Sequence, residues 1–106
     1  MKKILIYTSL LILNIYTPTA EAEFNIFGAG AKSCGEMIAD DSGPYGDFQT
    51  IGWMSGYMSA LNVEYGFNRG IDKSFESIYY AVLNRCKETP LKLVSQAVRY
   101  VYLNEL

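Results

Sequence analysis

Catalysis in a short chain has to come from side chains that move protons or electrons or hold metals, and this sequence carries few of them. It has no histidine, two cysteines and eleven acidic residues in 106. Without histidine, no side chain has its ordinary proton affinity between pH 5 and 8, so both the usual general base and a neutral-pH switch are missing. Cys34, in AKSCGEM, and Cys86, in LNRCKETP, can react as thiols, bind a metal or pair with each other. No CxxC motif and no histidine stand by to complete a zinc or redox set, which favours the single intramolecular pairing. Asp40 and Asp41 are neighbours in sequence, but adjacent helical residues point about 100° apart, and serine, glycine and proline follow them in a turn. Glu36, Asp40, Glu64 and Asp72 are the carboxylates open to a hydrolase, and no spacing brings two of them together. GAGAKS, residues 28–33, has the look of a phosphate loop, yet Ala31 stands where a glycine must precede the lysine. The expectation is a protein that is not an enzyme and uses no cofactor or metal.

The elements that position these residues begin after a leader. Lys2 and Lys3 precede a mostly apolar run, residues 4–16, then Thr17, Pro18 and Thr19, then Ala20-Glu21-Ala22 with the small-x-small pattern of a cleavage site. The run is too short for the roughly 20 residues of a bilayer span, so residues 1–22 read as a signal peptide and 23–106 as one helical domain. Taking Lys2, Lys3 and Glu21 from nine basic and eleven acidic residues leaves seven against ten. With its cations scattered along an acidic chain, nucleic acid is not an expected partner. A domain of this size buries only about 60–65% of its unfolded surface, and export brings it to an oxidising compartment. A Cys34–Cys86 bridge would close a loop of about 50 residues and contribute roughly 4 kcal/mol.

Within the domain, residues 23–32 form a glycine-rich lead-in, loose at its start. A short helix follows from Ser33, with Cys34, Met37 and Ile38 facing inward. The turn DDSGPYGD, residues 40–47, ends it. Asp47 is placed to cap the next helix, which contains the uncharged stretch IGWMSGYMSALN, residues 51–62. Its stripe is Phe48, Ile51, Met54, Met58 and Leu61, widened by Trp53 and Tyr57, while Gly52, Gly56 and Ala60 line up for the close approach of another backbone. This predicts a central helix packed on two sides. Gly66 and Gly70 mark the next break. A third helix, capped by Asp72 or Ser74, turns Phe75, Ile78, Tyr79, Val82, Leu83 and Cys86 inward. Thr89 and Pro90 read as the N-cap and first residue of a fourth, with Leu91, Val94, Val98 and Val101 at helical spacing. VRYVYL also alternates like a strand, and the longer spacing favours helix. The fold class expected is all-α: a small single-domain bundle of about four helices closed by one disulfide.

A cysteine in the first helix, a Gly/Ala-bearing central helix and a second cysteine just before Thr89-Pro90 (C-K-E-T-P, residues 86–90) resemble the HdeA-like periplasmic acid-stress chaperones. That resemblance implies a dimer near neutral pH that loosens in acid and covers denatured clients. The ten acidic side chains of the mature chain protonate near pH 4 and below, leaving seven basic groups to repel one another. Trp53, Met54, Tyr57 and Met58 are then the candidate protein-binding surface, methionine being adaptable to irregular partners. WMSGYMSA, residues 53–60, and the later helix are also similar to the Rap1a/Tai immunity proteins, small periplasmic helical antagonists of secreted toxins. Such a protein would use a preformed surface, and apart from Tyr7 and Tyr16 in the leader the nine tyrosines are available to build one. The reading is therefore a small periplasmic or secreted, non-catalytic binding protein with no stable membrane insertion. It is first an acid-activated chaperone for denatured clients, and alternatively an immunity or adaptor protein for one specific partner.

Overall fold

Ser33 starts the first helix as its spacing predicts, its hydroxyl accepting the Glu36 N–H at 3.1 Å. The computed structural model describes residues 25–41 and 48–106; residues 1–24, with the expected leader, and 42–47, with the expected Asp47 cap, lie outside them. A 3-10 turn, Gly28–Ala31, precedes four helices: α1 Cys34–Asp40, α2 Phe48–Tyr65, α3 Phe75–Glu88 and α4 Val94–Asn104. Among the described residues there is no strand, only an isolated bridge between Ser33 and Leu93. The molecule is the expected all-α bundle of four helices, and Cys34 and Cys86 are disulfide-bonded, with their Cα atoms 4.8 Å apart. Both are fully buried, and Met37 packs beside them.

The helix ends are set by short-range chemistry. Gly66, at φ +67°, closes α2, and the Phe67 N–H reaches back to the Asn62 carbonyl at 3.0 Å, the longer bond of a Schellman motif. Of the two candidate caps for α3, Ser74 takes the role and accepts the Ser77 N–H at 3.1 Å. Thr89 does not open α4. Its hydroxyl and its N–H both donate to the Arg85 carbonyl, at 3.0 and 3.1 Å, so it closes α3 instead. Pro90 sits at the second position of a turn in which the Lys92 N–H reaches the Thr89 carbonyl at 3.1 Å, the place where its fixed φ helps a turn as readily as a helix start. The fourth helix accordingly begins at Val94, with Gln96 accepting the Leu93 N–H at 3.0 Å.

That linker has a second use. The carbonyls of Pro90 and Lys92 accept the N–H groups of Gly35 and Cys34, at 3.0 and 2.7 Å, and Val94 returns a bond to the Lys32 carbonyl at 2.9 Å. The orphan amides at the start of α1 are thus satisfied by a segment far along the chain. Leu91, expected on an inner face, is instead 96% exposed at the tip of this turn.

The core sits around α4, which packs against the other three helices and the 3-10 turn. Val94, Ala97, Val98, Val101 and Tyr102 are all buried, so α4, and not α2, is the central element. The inner face of α3 is as the spacing predicts, except that Phe75, on the first turn, is 56% exposed. α2 buries Thr50, Met54, Met58 and Leu61 and leaves Phe48 83% exposed. The small-residue strip faces away: a Cβ added at Gly52 or Gly56 would meet nothing within 4 Å. The buried tyrosines keep their hydroxyls satisfied. Tyr79 donates to Asp41 at 2.8 Å, and Tyr102 donates to Asn62 at 2.7 Å.

Candidate functional site

The nominated surface divides in two. Met54 and Met58 are core side chains, buried between α2 and the rest of the bundle, so they are not part of a resting surface. The helix turned them inward because a stripe apolar all round gives periodicity little to choose between, and packing on α4 decides. Trp53 and Tyr57 are half-buried and lie at the surface, stacked with ring centroids 4.9 Å apart.

Trp53 is held by the lead-in. Its indole N–H donates to the Phe27 carbonyl at 2.7 Å. Gly30 lies directly under the ring, where an added Cβ would overlap the six-membered portion of the indole. The segment read as loose at its start is, over residues 27–31, a platform for this side chain.

From Tyr57 the row continues to α4. Arg99 Nη2 donates to the Tyr65 hydroxyl at 3.0 Å. Hydrogen bonding to Tyr57 first, and then the charge of Tyr65, hold the Arg99 guanidinium above its ordinary value despite some burial. With the folded-state value raised, the contribution is fully present below the unfolded value and is lost only as pH climbs through the folded one. The charge on Arg99 is therefore constant over any pH at which the protein is handled. Beyond Tyr65 the row turns onto the loop before α3. Tyr65 lies 5.9 Å from the Phe67 ring and 6.4 Å from Tyr102, and the Arg69 guanidinium stands over Phe67 at 4.8 Å.

Arg69 also anchors this corner. It donates to the Tyr102 and Leu103 carbonyls at 2.9 and 3.1 Å, filling acceptors at the end of α4. Asn62 grips its backbone from the other side, at 3.0 and 3.2 Å. Asn62, Arg69 and Tyr102 thus fix α2, the loop and α4 to one another.

On the outer side of α4 runs a groove of about 230 Å³. Arg85, Lys92 and Arg99 line it with Gln96 and Tyr100, so cations that are scattered in sequence are gathered by the fold. The Arg85 guanidinium lies 3.6 Å from the centre of the Tyr100 ring and pairs with Glu88 at 3.1 Å.

Sequence reasoning missed Tyr65, Arg99 and the groove. Tyr65 carried a signal, since Trp53, Tyr57, Leu61 and Tyr65 step by four along α2. Arg99 carried none, because its place depends on how α4 docks. The carboxylates weighed for a hydrolase stay apart: Glu36 is in the first turn of α1, Asp40 pairs with Lys32 at 3.4 Å, Glu64 is exposed on α2 and Asp72 is in the loop. Among the described residues no three acidic or cysteine side chains meet as a metal site would need. No described helix is long and apolar enough to cross a membrane. No family model matches the chain, and no curated protein or solved structure does either.

Proposed function

We propose that the protein is a small non-catalytic binding protein that presents the row Trp53, Tyr57, Arg99 and Tyr65 to one specific protein partner. The observation that carries this reading is that the row is already fixed: Trp53 by Phe27 and Gly30, Tyr57 by stacking, Arg99 and Tyr65 by each other. Trp, Tyr and Arg supply most hot spots at protein interfaces. Each side chain ordered in advance avoids about 0.5–1.5 kcal/mol of ordering cost on binding. Work in the periplasm or outside the cell belongs to the same proposal, supported by a disulfide in a small core. This is the immunity or adaptor version of the sequence reading.

The HdeA-like chaperone version is the second reading, and one observation favours it. The disulfide ties α1 to α3 and leaves α2 without a covalent tie inside the fold. Acid that lifts α2 would uncover Met54 and Met58 for clients.

A photoreactive phenylalanine analogue in place of Tyr57 tests both. One dominant adduct at neutral pH, lost on Arg99→Ala, is the expected result. No adduct at neutral pH, with many unrelated adducts appearing only in acid, would overturn it in favour of the chaperone.

A further inference from the structure

We propose that the groove along the outer side of α4 takes an acidic peptide segment of the protein partner, its carboxylates on Arg85, Lys92 and Arg99 and its body over Tyr100. The inference rests on the binding-face reading and names the chemistry of the partner. Arg99 joins the two regions, since it lines the groove and also bonds Tyr65 in the aromatic row.

Charge is the first argument. The chain is acidic overall, at −2, yet among the described residues three cations line this groove and no carboxylate does. Their counter-charges inside the molecule are few. The acceptors around Arg99 are the hydroxyls of Tyr57 and Tyr65, not carboxylates. Among the described residues Arg85 pairs only with Glu88, a neighbour one turn on whose side chain is 69% exposed, so solvent screens the pair from the carboxylate side and it is exchangeable. Lys92 makes no ion pair among the described residues. The bland explanation, cations compensating the dipole at the end of α3, accounts for Arg85 but not for Lys92 in the linker or Arg99 within α4.

Shape and preorganisation are the second. The side chain of Arg85 is only 22% exposed and its guanidinium carbon stands 3.6 Å over the centre of the Tyr100 ring, which restricts the motion of a group able to meet a carboxylate in bidentate fashion. A volume of about 230 Å³ accommodates one or two side chains. Beyond Arg99 the surface is mainly aromatic, with Arg69 a further cation only at the far end over Phe67, which fits a peptide carrying both carboxylates and apolar residues and gives a phosphate backbone no continuous track to follow.

The test uses the purified, oxidised protein and a capped, fluorescein-labelled peptide alternating glutamate and leucine, followed by anisotropy at low salt. Its comparison probes are the same peptide with glutamine for glutamate, and inorganic polyphosphate. The glutamate peptide is expected to bind and the glutamine peptide not to. Arg85→Gln and Arg99→Gln should each weaken binding about threefold to tenfold, and Lys73→Gln, an equal charge change elsewhere, should not. Lys92→Gln, on an exposed side chain that supports nothing in the fold, should also weaken it and keeps the test sound if an arginine variant misfolds. Absence of binding, equal loss in Lys73→Gln, or polyphosphate binding as tightly with the same dependence on the three residues would each overturn the proposal. A neutral-pH adduct at Tyr57 combined with any of these results would leave the face standing and remove only the groove.

Discussion

The two sides of this bundle are built to different standards. At the α1–α3 end, Cys34, Cys86 and Val94 are completely buried, a disulfide crosses the core, and backbone bonds run both ways between the start of α1 and the start of α4. On the outer side of α2, Phe48 and Val63 are 83% and 85% exposed, and Gly52 and Gly56 have open space before them. The first side is determined several times over. The second is held without a covalent tie, by Met54, Met58 and Leu61 from beneath, by Trp53 on the lead-in, and by the polar contacts of Asn62 and Tyr65. Stability and adaptability are thus separated in space, and the Trp53 row lies along the boundary between them.

The largest effect should come from the well-determined side. Replacing both cysteines with alanine is expected to lower unfolding free energy by about 4 kcal/mol, read from urea denaturation with wild type as reference. A loss under about 1 kcal/mol would mean that the backbone bridge alone holds that end, and the contrast would rest on hydrogen bonds instead of the cross-link. Next, Met54→Ala should cost about 2–5 kcal/mol in the same assay, since the side chain is buried in the core. A cost near zero would show α2 to be detached in solution and would sharpen the difference between the sides. The smallest effect has the opposite sign. Gly52→Ala and Gly56→Ala should each stabilise by about 0.5–1 kcal/mol, because helix propensity is gained with nothing to strike. Destabilisation by either would mean that this face is covered, and the comparison would fail.

Much of the well-determined side was legible in the sequence because its signals are local or chemically restrictive. Ser33 three residues before Glu36, the amphipathic run from Ile78 to Cys86 and a lone pair of cysteines each permit few readings. The misreadings share one cause. Thr89 and Pro90 suit a helix start as well as a helix end followed by a turn, and only the start of α1, waiting for carbonyl partners, selects the turn. On α2 the apolar residues surround the helix, so the sequence stripe through Phe48 and Ile51 competes with the observed one through Thr50, and docking on α4 decides. The site was half visible for the same reason. Trp53 and Tyr57 stand out by type and spacing, whereas Arg85, Lys92 and Arg99, seven residues apart, become neighbours only when α4 folds back along α3.

The reciprocal bonds between the start of α1 and the start of α4 also set an order of events. Seven residues are too few to hold a helix alone in water, and the acceptors for the Cys34 and Gly35 amides lie at Lys92 and Pro90. During synthesis, which runs from the amino end, α1 can acquire its final form only after almost the whole chain has emerged. The first helix therefore completes its hydrogen bonding only once the linker before the last helix has emerged, and a chain that stops short of Pro90 lacks both acceptors.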